Sequence, residues 1–240
     1  MKHEKEEKMK VVICAGPPTS GKTTVLKQVI RKLMKEGGRP AYLKIDVQFA
    51  DEDAMFAGEF GIPSKKVYSG DLCPDHCNVI VLGDAINWAQ EECADILFVE
   101  TAGLCLRCSP YIEKSLGMVV LEATSGMKLP MKIGPMLSLA DMAVVTKIDL
   151  ISQAEREVFR ANIQAAAGVP VIETDALHGI NINYVANRIK GMDEYAGPSL
   201  LRGNPPVGTC TICVGKKEIG RESHFGVVRP LESDIFYQGE

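Results

Sequence analysis

Gly16-Pro17-Pro18-Thr19-Ser20-Gly21-Lys22-Thr23 is the stretch that decides the fold. It fits the pattern G-x-x-x-x-G-K-[ST], in which each residue type answers to a polyphosphate. Glycines let the backbone bend closely around phosphate oxygens, so that successive amides point inward as an anion nest. Lys22 brings a positive charge to the β- and γ-phosphates, and the Thr23 hydroxyl is placed to ligate Mg²⁺. Thr24 continues the phosphate-binding surface into the next element. Upstream, Lys10-Val11-Val12-Ile13-Cys14-Ala15 reads as a buried parallel strand. Downstream, Val25, Leu26, Val29, Ile30, Leu33 and Met34 recur at helical spacing from Thr23 to Lys35, and Gly37-Gly38 closes the run. The N-terminus of that helix therefore points at the phosphates.

Length and composition set the outer bounds. A chain of 240 residues holds one sizeable core, or one core with a small appendage. With 46% hydrophobic and 24% charged residues it has the make-up of a soluble globular protein. A formal charge of −4 offers no basic footprint for nucleic acid. No apolar run reaches transmembrane length, and the charged N-terminus MKHEKEEKMK lacks a following signal-type segment. The expected place is the cytoplasm, with neither nucleic acid nor membrane as partner. Eight cysteines in such a protein point to metal or redox chemistry rather than to a disulfide framework.

Taken in order, residues 1–9 read as a solvated tail, 10–197 as the nucleotide domain and 198–240 as an extension. Pro40–Asp46 reads as a second strand ending in a carboxylate; Asp46 there can reach the Mg²⁺ shell or serve as a turn or capping residue. An acidic connection follows, carrying Asp51-Glu52-Asp53 and Phe60-Gly61-Ile62-Pro63. In Gly70-Asp71-Leu72-Cys73-Pro74-Asp75-His76-Cys77, Pro74 suits the first helical position, which makes Cys73 the cap. Cys73, His76 and Cys77 then gather in one turn, where a soft or borderline metal and a thiolate-favouring dipole fit together. Cys93, near the end of that helix, reads as plain core.

Asp95–Glu100 is an apolar strand ending in an acid, and Glu100-Thr101-Ala102-Gly103 stands where a Walker-B acid and phosphate sensor belong in this motif order. Cys105-Leu106-Arg107-Cys108 follows at once, a C-x-x-C pair made more informative by that position. Val119–Ala123 and Ala140–Val145 are further strands. The second leads into Thr146-Lys147-Ile148-Asp149, close to the N-K-x-D base-reading pattern. The Asp149 carboxylate accepts both donors on the Watson–Crick edge of guanine, and Lys147 lays its stem over the base. Asp175 and Ala176, after the last strand Val169–Thr174, complete the expected nucleotide contacts. Alternating apolar strands and helices predict an α/β fold: a mostly parallel sheet with helices on both faces. Beyond Pro198, Cys210-Thr211-Ile212-Cys213 and later His224 resemble half of a metal knuckle.

With these residues placed, the chain resembles the metal-handling GTPases of the SIMIBI class: the hydrogenase nickel-incorporation GTPase, the urease accessory GTPase and the CobW group. The resemblance spans roughly residues 10 to 192, through GPPTSGKTT, LFVETAG and VVLEATSGMKLPMKIGPMLSLADMAVVTKIDL. It implies a P-loop GTPase using GTP and Mg²⁺, with Glu100 and Gly103 as the Walker-B element. It further implies that Cys73 with its neighbours and the Cys105/Cys108 pair bind nickel or zinc at a homodimer interface. An iron–sulfur cluster on the same cysteines is the other metal cofactor considered. The implied partners are a client metalloenzyme or other maturation proteins, with dimerisation set by nucleotide or metal. Thr146 replaces the family's asparagine, the metal region is richer in cysteine, and the tail with Cys210 and Cys213 lies outside the resemblance. Two other readings compete: a small-molecule kinase on the same loop, and a nucleotide-gated metal or redox sensor.

Overall fold

The structure, a computed structural model, describes residues 9–47, 51–70, 73–103, 108–203, 216–220, 222–224, 228–230 and 235–239. In chain order the elements are β1 (Lys10–Ala15), α1 (Lys22–Lys35), β2 (Pro40–Asp46), α2 (Glu52–Phe60), β3 (Ser64–Tyr68), α3 (Pro74–Glu91), β4 (Ile96–Glu100), β5 (Leu116–Glu122), α4 (Gly134–Ser138), β6 (Met142–Thr146), α5 (Gln153–Ala167), β7 (Val171–Glu173), α6 (Ile182–Lys190), β8 (Val228–Pro230) and β9 (Ile235–Gly239). The strands form one sheet in the order β7-β6-β5-β1-β4-β2-β3-β9-β8. All of β1 to β7 run parallel, β9 is parallel to β3, and β8 is antiparallel to β9. The expected parallel sheet with helices on both faces is what forms. Part of the chain beyond residue 197 adds its outer two strands.

β1 shows why the sheet must be covered twice. Its successive side chains alternate, so Val11, Ile13 and Ala15 enter one core while Val12 and Cys14 enter the other. The first core is filled by α3 and by Phe159 and Ile163 of α5. The second takes Val25, Leu26, Val29 and Ile30 of α1, Phe56 of α2, and Val185, Ala186 and Ile189 of α6. β1 lies between β4 and β5. The chain thus leaves its central strand at a switch in strand order, where a crevice opens at the carboxyl ends of an α/β sheet. The phosphate-loop sequence occupies that position.

Helix ends follow local chemistry. Cys73 caps α3 with Pro74 first in the helix, as its spacing predicts. Ser152 begins α5 with a capping box: its hydroxyl accepts from the Glu155 N–H at 3.3 Å, and its own N–H donates to the Glu155 carboxylate at 2.8 Å.

Two expectations are corrected. The acidic stretch from Asp51 is not simply a connection: Glu52–Phe60 is helical, and Phe56, fully buried, stacks on Tyr42 with ring centroids 3.9 Å apart. Cys93 is not core. It lies past the end of α3, exposed, with a positive φ of 56°.

Candidate functional site

The loop after β1 is folded as its sequence requires. Gly16 has φ +150°, and a Cβ placed there would sit 2.2 Å from the Val120 carbonyl oxygen, so a side chain is excluded. Gly21 caps α1, and its carbonyl takes the Val25 N–H at 3.0 Å. Lys22 folds back over the loop, donating to the carbonyls of Gly16 and Pro17, both at 3.0 Å. Burial lowers its pKa, while the Glu100 charge opposes that fall. Ser20 is fully buried, and among the described residues its hydroxyl oxygen has no hydrogen-bond partner, nor has the buried Thr101 Oγ1. A cavity of about 430 Å³ opens beside this loop, lined by Pro18, Thr19, Gly21–Thr24, Lys44, Asp46, Glu52, Glu100 and Ala102.

Glu100 is the hub of that cavity. It ends β4, is almost wholly buried, and accepts three hydrogen bonds: from Thr23 Oγ1 at 2.8 Å, Lys44 Nζ at 2.7 Å and Tyr42 Oη at 2.9 Å. The parallel register sets Lys44 opposite Glu100. Alternation along β2 then aligns Tyr42, Lys44 and Asp46 on one face. Beyond Glu100, the Thr101 N–H donates to the Cys14 carbonyl at 3.0 Å. Two residues later Gly103 meets the phosphate loop itself. Thr23, Asp46 and Glu100, the residues expected around Mg²⁺, do line one cavity. Oxygen donors of that kind, one hydroxyl and two carboxylates, match a hard cation that keeps several of its waters.

The other end of the site lies after β6. Thr146, where asparagine was the pattern, gives its hydroxyl proton to the Ser20 carbonyl at 2.7 Å, tying β6 to the loop. Lys147 adopts φ +57°, donates to the Thr19 carbonyl at 3.2 Å and pairs with Glu122. Asp149 is exposed in the short turn that follows. Asp175 and Ala176 are buried in the turn after β7, where the Asp175 carboxylate meets the His178 ring at 2.6 Å and accepts from the His178 N–H at 3.2 Å. The bond with the His178 ring, above all, holds its pKa below the usual carboxylate value.

The cysteine expectations divide. Cys73 caps α3 half-buried, and His76 and Cys77 follow it in the first turn, both buried. Cys77 is not activated by the helix end: burial first, and Cys73 second, push its thiol up to about 12. Cys108 is buried in the segment whose Pro110 carbonyl accepts from Asn78 of α3 at 3.4 Å. Cys105, Cys210 and Cys213 lie outside the described residues. Among the described residues no three of His, Cys, Asp or Glu stand close enough to hold a metal ion.

Two residues at these sites were not singled out from sequence, and a third, His224, was read only with the tail cysteines. Tyr42 and Lys44 reach Glu100, and the available signal was a lysine inside an otherwise apolar parallel strand. His224 lies edge-on to His76, with ring centroids 5.4 Å apart. Its Nε2 meets the Glu218 carbonyl, while its Nδ1 is buried with no hydrogen-bond partner among the described residues. The Gly220 N–H nearby donates to the Val79 carbonyl of α3 at 3.0 Å.

Comparison with known proteins agrees with this architecture. Residues 10–172 match the family described as CobW/HypB/UreG, nucleotide-binding domain. Protein MJ0120 of Methanocaldococcus jannaschii is 41% identical over 236 residues, covering 97% of this chain and 100% of its own length. Urease accessory protein UreG 2 of Streptomyces griseus is 26% identical over 193 residues, covering 71% of this chain and 82% of its own. Among solved structures, HypB from Helicobacter pylori in complex with nickel superimposes with a TM-score of 0.62 at 16% identity, over 80% of this chain and 93% of that one. The likeness to HypB is one of fold, whereas the match over residues 10–172 assigns the family: the chain belongs to the CobW/HypB/UreG nucleotide-binding-domain proteins.

Proposed function

We propose that this chain is a GTP hydrolase that couples its nucleotide state to delivery of a metal ion to a client metalloenzyme. The observation that carries the reading is continuity. Thr23 of the phosphate loop is hydrogen-bonded to Glu100, and the chain from Glu100 passes Gly103, packed on Gly16, before reaching Cys108 five residues later. A change at the terminal phosphate therefore reaches the thiol-bearing segment through a few residues of chain. Switching of a loop by the γ-phosphate is an established way for nucleotide hydrolases to signal. Nickel suits the cargo role because a fold relative was solved with nickel and because imidazole and thiol groups gather at the start of α3. The protein is expected to work in the cytoplasm as a nucleotide- or metal-dependent homodimer. No helix among the described residues is long and apolar enough to cross a membrane.

Each residue has a task in hydrolysis. The loop amides and the α1 N-terminus hold the β-phosphate, and Lys22 turns from the Gly16 and Pro17 carbonyls toward the phosphates. Thr23, with Glu100 and Asp46 nearby, would hold Mg²⁺, which when bound neutralises charge on the β- and γ-oxygens. Glu100 keeps the Thr23 hydroxyl oriented. Thr146 fixes the loop against β6, leaving Lys147 and Asp149 to meet the base. Coupling between nucleotide and metal is reciprocal and typically amounts to roughly 1–3 kcal/mol. The test is to titrate Ni²⁺ into protein holding GDP or a non-hydrolysable GTP analogue while following its mass in solution. The two states should differ several-fold or more in Ni²⁺ affinity, and Cys105→Ala with Cys108→Ala should erase the difference. Equal affinity and equal mass in both states would remove the metal-delivery reading.

A further inference from the structure

Lys44 has no part in the phosphate-loop pattern, yet it stands in the cavity that the pattern builds. Only about 5% of its surface is exposed. Burying an ammonium in a central parallel strand is costly unless charge and hydrogen bonds offset it. Three carboxylates do so: Glu100 at 2.7 Å, and Asp46 and Glu52 each at 3.5 Å. Burial works against its charge, and these acids outweigh burial and raise its pKa.

A structural ion pair does not account for this arrangement. One carboxylate would balance one ammonium, and an apolar residue of like volume commonly serves a buried position as well. Here the close partner is Glu100, while Asp46 and Glu52 are held at loose ion-pair distance across the cavity wall. An ammonium has three donors, and among the described residues the hydrogen bond it makes is to Glu100. The acids around the cavity floor carry three negative charges against the two positive charges of Lys22 and Lys44, so neither cation is redundant. Lys22 and Thr23 begin α1, which places the β-phosphate at the helix end. The next phosphate outward enters the cavity that Lys44, Glu100 and Ala102 line together with the loop, and Lys44 stands 2.7 Å from Glu100, the acid bonded to Thr23.

We propose that Lys44 is a second phosphate-binding cation that takes the γ-phosphate of the nucleoside triphosphate, making it the residue by which the site tells triphosphate from diphosphate. The proposal rests on the hydrolase reading and adds the group that reads the terminal phosphate. Lys44 then exchanges its loose contacts with Asp46 and Glu52 for phosphate oxygens. As the bond to the leaving diphosphate breaks and water attacks, its electron pair passes to the leaving oxygen while negative charge stays spread over the transferring phosphoryl group beside Lys44. A cation already in place therefore lowers the barrier as well as favouring the bound triphosphate.

The experiment compares wild type, Lys44→Gln and Lys44→Arg for binding of GDP and of a non-hydrolysable GTP analogue, and for single-turnover GTP hydrolysis. Lys44→Gln should keep GDP affinity within about threefold, lose tenfold or more for the analogue, and hydrolyse about 10²–10³-fold more slowly, the scale of one preorganised charge-stabilising group. Lys44→Arg should recover much of both. An equal fall for GDP and analogue, or no change in either, overturns the proposal. Should Lys44→Gln fail to fold, Glu52→Gln decides: removing that acid should strengthen analogue binding and leave GDP unchanged, and weaker analogue binding overturns the proposal. A wild type that hydrolyses no GTP removes the hydrolase reading and this one together. A wild type that hydrolyses GTP and a Lys44→Gln that matches it removes this one alone.

Discussion

Gly103 lies so close to Gly16 that a Cβ built on it would come within 1.7 Å of the Gly16 carbonyl oxygen. Its φ of +71° is itself costly for a residue with a side chain. The two glycines form a backbone contact between the phosphate loop and the segment that follows β4. Gly103→Ala should therefore cost nucleotide affinity tenfold or more while leaving the far-ultraviolet circular dichroism near wild type. Titration with a fluorescent GDP checks this. Undiminished affinity would separate the two segments.

Hydrolysis should depend on Lys22, Thr23 and Mg²⁺. Lys22→Ala removes the charge now resting on two loop carbonyls, and Thr23→Ala removes both an Mg²⁺ donor and the hydrogen bond to Glu100. Each should slow turnover by at least about tenfold, the least that loss of a charge-stabilising group of roughly 1.4 kcal/mol gives. Phosphate release measured with and without chelator is the readout.

Guanine should be preferred to adenine through Asp149, and Asp149→Asn should move the preference toward xanthine nucleotides. Competition between GTP and ATP for the wild type, and between GTP and XTP for the variant, measures both shifts. Thr146→Val should weaken every nucleotide alike, because it leaves the buried Ser20 carbonyl without its donor, at about 1–3 kcal/mol.

Cysteine reactivity should separate sharply. Cys93 is exposed, whereas burial, with Glu100 adding to it, pushes the Cys14 thiol far above the ordinary value of 9.0. Alkylation at pH 8 should mark Cys93 in minutes and Cys14 only when the protein unfolds. The linkage has a definite sign: the unfolded chain loses the Cys14 proton above about pH 9 and the folded chain does not, so this group's contribution to stability declines as pH rises past that point. Peptide mapping of the alkylated protein gives the order directly.

Cutting the chain after residue 203 should be tolerated better than cutting after 197. Leu201 is fully buried, and Arg202 donates to the carbonyls of Ile112 at 2.9 Å and Leu139 at 3.1 Å while pairing with Asp141 at 2.7 Å. The shorter chain should melt several degrees lower than the longer one, since removing a buried leucine alone costs about 2–5 kcal/mol. Thermal unfolding of the two truncations measures the gap.

The loop, its strand and its helix were legible because a local pattern specifies them, and Glu100 followed from motif order. β3 was not read as a strand because Ser64-Lys65-Lys66-Val67-Tyr68 lacks an apolar run. Its lysines are satisfied from elsewhere: Lys66 pairs with Asp53 at 3.4 Å, and Lys65 lies over the Trp88 ring at 5.5 Å. Nor does local spacing foretell that Lys44 and Tyr42 converge on Glu100, since that meeting depends on the register of β2 against β4 across more than fifty residues of chain. His224 was noticed with the tail and not with His76, because only the fold brings the two rings together.

The nine-stranded order described above ends in two very short strands, Val171–Glu173 on one side and Val228–Pro230 on the other. An open strand edge is a template on which another chain can add its own backbone, and natural sheets blunt such edges by keeping them short or ending them in proline. Three residues of β7, and a β8 that closes on Pro230, offer a second molecule few amides to pair with. Two copies of this chain are therefore poorly equipped to fuse their sheets side by side. The dimer proposed above would then join through the loops at the strands' carboxyl ends, beside the phosphate loop and the start of α3, where a bound phosphate could admit or dismiss the partner.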